Sequence, residues 1–273
     1  VNADSGELMW KGGRYGYGQL LAASGRVIEL TDMLRCSQGL RRAAQGAPSL
    51  EAAASAVCRF LYDELGDGGE GRACVLVRFY KTHAYGALPP ELQRFAKRAF
   101  GAVAISPPEP AMKCLTLLAT VGDEPQWNDR RASENHQAIP LPSPYVVERA
   151  PMIAQLIREF GMDLGSVVRP SGDVVRALGG KSYGVFHVEN APGSPYIPAQ
   201  EGFVDRYGIR SVLGFGGLLP EGDLFGVILF SRVHVPVGSA DRFRSLALDL
   251  RSCLIPYGEA VFAPQSAGAP SSD

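Results

Sequence analysis

Apolar residues fall along this chain in alternating helix-like and strand-like runs. Leu20, Ala23, Val27, Leu30 and Leu34 follow one another at spacings of three and four within a helical run from Gln19 to about Leu40. That narrow seam is typical of a helix pairing with one partner. Gly46, Ala47 and Pro48 break the run, and Ser49 then opens a second helix as a good N-cap with Glu51 in its first turn. Its stripe is Leu50, Ala53, Ala54, Val57, Cys58 and Leu61, and Gly66-Asp67-Gly68-Gly69 ends it. Ala73 to Tyr80 (ACVLVRFY) and Cys114 to Val121 (CLTLLATV) read as strands, the first apolar on both faces. Between them, Leu92 to Phe100 predicts a short helix after Pro89-Pro90.

A long polar, proline-marked stretch follows from Gly122 to Pro144. Val146 to Phe160 then predicts one helix, Val185 to Val188 a short strand and Ala199 to Tyr207 a short helix. The strongest hairpin signal is Ser211 to Leu218 and Leu224 to Val235, flanking the turn Pro220-Glu221-Gly222-Asp223. A closing helix from Ala240 to Leu254 precedes an Ala/Pro/Ser/Gly-rich tail, which reads as disordered. No regular alternation of strand and helix appears, so a doubly wound parallel sheet is disfavoured. The pattern predicts an α+β fold: a central antiparallel sheet with helices mainly on one face and an N-terminal helical extension.

Composition narrows the class. The chain has 273 residues, 46% apolar and 20% charged, which suits a globular domain with a full core. Its formal net charge is −1 with the basic residues dispersed, which argues against a nucleic-acid surface. No uninterrupted apolar run reaches the roughly 18 residues of a membrane span, and the first residues carry no secretory pattern. Five cysteines (Cys36, Cys58, Cys74, Cys114, Cys253) are scattered with no CxxC pair and no metal spacing, as expected of buried thiols in a reducing cytoplasm.

Three stretches carry a family resemblance. They are GDEPQWNDRRAS (Gly122 to Ser133) with HQAIPLPS (His136 to Ser143), PMIAQLIREFG (Pro151 to Gly161), and the long segment from Ser194 to Pro236. Together with the order of elements they resemble the GAF-like input domains of bacterial histidine kinases and related multidomain sensors. The resemblance covers roughly the second half of the chain. It implies a GAF/PAS-like, non-catalytic cytoplasmic module of a two-component or similar signalling protein, binding an unidentified small ligand or relaying a conformational change. No phosphoacceptor helix, ATP-binding box or GGDEF signature is present in the sequence, so a kinase or cyclase output would lie elsewhere, in cis or in trans. On this reading residues 1–13 are a disordered or non-native leader and 14–46 a signalling and dimerisation helix. Residues 47–258 form the sensor domain with an insert at 122–198, and 259–273 the tail. The expected oligomer is a homodimer built partly on the first helix and partly on the closing one.

Four residues are the expected ligand-binding set. Trp127 in a polar loop exposes apolar surface unless it covers something, a pocket or the domain's own core. Arg130 lies in the same loop. Arg210 precedes a strand, where its fork could hold a carboxylate or phosphate, or pair internally with Glu201 or Asp205. His187, in the apolar YGVFHV run, is the best placed of the four histidines for a haem iron, although a packed histidine is the commoner outcome. His83 and His234 are expected to be solvated at strand ends. Gly214, Gly216 and Gly217 lie inside a strand pattern, which favours a bulge or close packing of a helix on the sheet over a phosphate loop. Two alternatives remain: a small cysteine-dependent redox enzyme of the same fold, and a ligand-free dimerisation scaffold. No catalytic residue, metal site or cofactor is assigned.

Overall fold

The computed structural model describes residues 9–10, 30–66, 71–101, 107–172, 183–258 and 261–262. In chain order its elements are β1 (Met9–Trp10), α1 (Leu30–Ala44), α2 (Leu50–Glu64), β2 (Leu65–Gly66), β3 (Cys74–Ala84) and α3 (Pro90–Gly101). Next come β4 (Lys113–Gly122), β5 (Ala138–Leu141), α4 (Pro144–Glu148), α5 (Pro151–Glu159), α6 (Leu164–Val168) and β6 (Tyr183–Val188). The hairpin β7 (Ser211–Leu218) and β8 (Leu224–Ser231) is followed by α7 (Val237–Ala240) and α8 (Arg244–Leu254).

Strands β3 to β8 form one six-stranded antiparallel sheet in the order β5-β4-β3-β8-β7-β6. The first and last of these strands therefore pair at its centre. The α+β class is as expected, but the arrangement of helices differs in one respect. Helices α2 and α8 cover one face, and α1 packs against both of them. The opposite face is covered too, by α5, α6 and the segment around Val204 and Ile209. Alternating side chains explain this: along β8, Phe225, Val227 and Leu229 enter the first core while Leu224, Ile228 and Phe230 enter the second.

Several boundaries move for local reasons. The helix expected over Val146 to Phe160 is two helices, α4 and α5. Pro151 has no N–H to continue a ladder and instead starts α5 at its first turn. Strand β3 runs four residues beyond Tyr80, because Lys81 and His83 are buried at its end. Strand β5 lies in the polar, proline-marked stretch from Gly122 to Pro144, and helix α6 lies in a segment to which the sequence pattern assigned no element. Ala199 to Tyr207 forms a single π-helical turn, Gln200–Asp205. Ser49 caps α2 as its sequence requires, its Oγ accepting from Ala52 N–H at 3.1 Å. Residues 14–29 and the tail from 263 onward lie outside the described residues, and with them Leu20, Ala23 and Val27 of the seam. Leu34 faces solvent, while Met33, Cys36 and Leu40 form the inner stripe of α1.

One contact seats the second layer. Gly184, Gly216 and Gly226 pair directly across β6, β7 and β8, making a row without side chains. The end of α5 lies on that row, with Phe160 fully buried. A Cβ at Gly184 would stand 2.1 Å from the Glu159 carbonyl oxygen, and one at Gly216 2.7 Å from the Phe160 ring. Glu159 also accepts the His187 N–H at 3.0 Å, tying α5 to the edge strand β6. Gly184→Ala should therefore cost roughly 2–3 kcal/mol in urea denaturation, because backbone must move. Gly214→Ala, whose Cβ meets its nearest neighbours at 3.4 Å, should cost less than about 1 kcal/mol. Equal losses at the two positions would show that the glycine row does not set the helix distance.

Candidate functional site

The structure does not bring the four expected residues together. Trp127 sits in a 3-10 turn directly after β4 and packs into the insert-side core, 4.6 Å from Tyr207 and 5.8 Å from Phe203 between ring centroids. Phe203 in turn meets Phe230 edge-on at 5.0 Å. A Cβ at Gly122 would come within 2.8 Å of the indole, so that glycine lets Trp127 lie against the sheet. Arg130, three residues on, points elsewhere: it is buried, its Nε donates to Glu51 Oε1, and its guanidinium lies 5.6 Å from the Phe262 ring. It anchors the loop to the start of α2.

His187 Nε2 lies 2.8 Å from the Val235 carbonyl, which can only accept, so that nitrogen carries the proton and is occupied. Burial lowers the His187 pKa, and it outweighs the Val235 hydrogen bond and the nearby Glu189 and Glu159, which raise it. Arg210 is exposed and pairs with neither Glu201 nor Asp205; only its backbone is fixed, by N–H donation to the Ser231 carbonyl at 2.7 Å. His234 is half-exposed, 3.3 Å from Glu189. His83 is buried rather than solvated, at the start of a close-packed cluster, and burial pushes its pKa down to about 3.

Two buried polar clusters lie on β3, and they differ in whether their charges are paired. At its C-terminal end, Asp223 of the β7–β8 turn accepts from Lys81 at 2.5 Å, Lys113 at 2.6 Å and Thr82 Oγ1 at 3.2 Å. Thr82 Oγ1 also accepts the Leu224 N–H at 2.9 Å. Burial alone would raise the Asp223 pKa, but the two ammonium groups outweigh it and hold the carboxyl below its ordinary value. Each charge has an opposite partner, although both ring nitrogens of the neighbouring His83 lack a hydrogen bond, so the ion pairs of this cluster clamp the hairpin.

The second cluster lies in the middle of the strand, on the insert-covered face. Arg78 is half-buried there, and its Nε is a buried donor without a hydrogen-bond partner. Its Nη1 reaches the buried Tyr80 hydroxyl only at 3.5 Å. Thr120, opposite Arg78 across β3 and β4, is 5% exposed, and its Oγ1 is likewise unpartnered. Among the described residues no carboxylate forms an ion pair with Arg78. A β-bulge adjoins the site: Phe79 pairs with Ala119 and Tyr80 with Leu117, leaving Leu118 unpaired. His136 stands at the rim. Its edge is open to solvent, yet removal of water by the surrounding protein, then the Arg78 charge, pushes its pKa down to about 4. It is a neutral ring at physiological pH.

Arg78, Thr120 and His136 were not singled out from the sequence. The available signal was a lone arginine inside ACVLVRFY, a run apolar on both sides of it. All five cysteines are free, and burial raises every one of their pKa values, Cys74 and Cys114 up to about 12. Such thiols are poor nucleophiles. Comparison with family models and with curated proteins gives no match to this chain.

The clamp generates a pH prediction. A carboxyl held below its unfolded pKa contributes stability above that value and loses it as pH falls through the folded one. Asp223→Asn, which leaves half-buried Lys113 without its carboxylate and buried Lys81 with only Glu221 at 3.6 Å, should cost about 3 kcal/mol at pH 7. The difference from wild type, read by urea denaturation, should shrink below about pH 4. A difference that stays constant down to pH 3 would show that the Asp223 charge does not hold the turn.

Proposed function

We propose that this chain is a non-catalytic, GAF-like sensory module of a bacterial signalling protein, acting in the cytoplasm. A small ligand binds between the sheet and the 122–198 insert and favours one arrangement of the insert. The helical layer on the far face relays that change to a kinase or cyclase module, in cis or in trans. The observation that carries this reading is the pair of unpartnered polar groups, Arg78 Nε and Thr120 Oγ1, on the insert-covered face beside an aromatic wall. Buried polar groups normally have partners, and a ligand is one way to supply them. The upshifted, buried thiols weigh against the cysteine-redox alternative. Among the described residues no helix is long and apolar enough to cross a membrane.

Thermal denaturation across a panel of small metabolites tests the ligand. At least one compound should stabilise the protein, by about 2.7 kcal/mol at a hundredfold excess over its Kd. Trp127→Ala should weaken that binding more than it lowers the stability of the unliganded chain. If no compound shifts the transition and native mass spectrometry shows only the bare chain, the ligand-free scaffold is the better account.

The homodimer has its own support. Leu34 on α1 is 58% exposed, and Leu248 and Ile255 at α8 are 52% and 50% exposed, on two helices that pack together. If they form one contiguous apolar patch, that layer is a candidate interaction surface. Leu34→Glu combined with Leu248→Glu should give a monomer by light scattering with an unchanged circular-dichroism spectrum. A double variant that remains dimeric would place the interface elsewhere.

A further inference from the structure

We infer that the ligand of the insert-covered face is a planar aromatic carboxylate, held by Arg78 through its carboxyl group and by Trp127 through its ring; this rests on the sensory reading above. Arg78 is the starting point. Its guanidinium cannot lose its charge at any pH the protein meets, so only an anion can compensate it. The described carboxylates leave it unpaired, and its buried Nε offers a donor aligned with the rest of a planar fork. A carboxylate matches such a fork with two parallel hydrogen bonds. The Tyr80 hydroxyl, 3.5 Å from Nη1, and the unpartnered Thr120 Oγ1 can each donate to the same anion.

The apolar half of the ligand follows from register. Arg78 pairs with Thr120, and two residues along the same face Leu76 pairs with Gly122. That step is about 7 Å, two residues of extended chain. At Gly122 the missing side chain admits the Trp127 indole, which continues into Phe203 and Phe230. A cation and an aromatic wall one pleat apart suit a flat ring bearing a carboxyl group. Inorganic phosphate or a phosphomonoester fits less well, because one arginine with two hydroxyls supplies neither the charge nor the backbone amides that phosphate sites gather.

Calorimetric titration of the full chain at pH 7 with benzoate, benzamide and acetate tests this. Benzoate should bind one to one and change tryptophan fluorescence. Benzamide, with the ring but no charge, and acetate, with the charge but no ring, should each bind roughly tenfold or more weaker. Arg78→Met should reduce benzoate to the level of benzamide, and its unliganded Tm should match or exceed that of wild type, since it removes a desolvated cation without a partner. Arg78→Lys, which keeps the charge but loses the fork, should fold and bind benzoate with intermediate affinity. Failure of benzoate to bind, equal binding of benzamide, or an Arg78→Met variant that is several degrees less stable or unfolded would each overturn the inference. A metabolite that binds in a Trp127-dependent way despite any of those results would leave the sensory reading standing without the aromatic acid.

Discussion

The second layer of this protein rests on a place where the sheet has no side chains. Helices pack on sheets at a distance set by what lies between them, and across β6, β7 and β8 nothing lies between them but glycine hydrogens. Phe160 fills that strip, and Glu159 fastens the same turn of helix to an edge-strand amide. With α5 fixed, α6 and the rest of the insert-side core can close over β3 and β4. Without the glycine row the helix would ride higher on β6, β7 and β8.

That constraint makes the contrast between the two polar clusters meaningful. Asp223 and its lysines are as buried as Arg78 and Thr120, but each charge there faces an opposite one, so the cluster holds a turn in place. At Arg78 no carboxylate of the described residues forms an ion pair. Desolvating an unpaired cation costs free energy that tight packing elsewhere must offset.

Much of the fold was legible in the sequence because it rests on strong periodicities. The α2 stripe, the β7–β8 hairpin and the central strands β3 and β4 each follow from apolar spacing with clear punctuation at their ends. Of the glycine row, only Gly216 was readable as a packing position from its place inside a strand pattern; Gly184 and Gly226 join it through strand register alone. What failed was contact between segments far apart in sequence. Arg130 reads as a loop cation in its own neighbourhood, and only the fold reveals Glu51 at its tip. His83 reads as a solvated strand end, yet Phe262, some 180 residues later, lies 5.5 Å from its ring. The candidate site shares this difficulty, because Thr120 and Arg78 meet only through strand register.

Position also explains how a ligand here could matter beyond its own contacts. Arg78 and Tyr80 alternate along β3 with Val77 and Phe79, which enter the opposite core beneath α2. A strand at the centre of a sheet cannot shift on one face alone, since its side chains interlock on both and protein interiors are nearly incompressible. On the proposed reading, drawing the Arg78 backbone toward a bound anion would displace Val77 and Phe79 relative to α2. Helix α2 packs on α1, and α1 is tied to α8 by the Arg41–Asp249 pair and to its C-terminal turn by the Tyr257 hydroxyl on the Ala44 carbonyl. Those helices carry the exposed leucines of the far face. A ligand that binds one arrangement of β3 more tightly than another thus biases the helical layer by the same free-energy difference, with no need for the ligand to touch it.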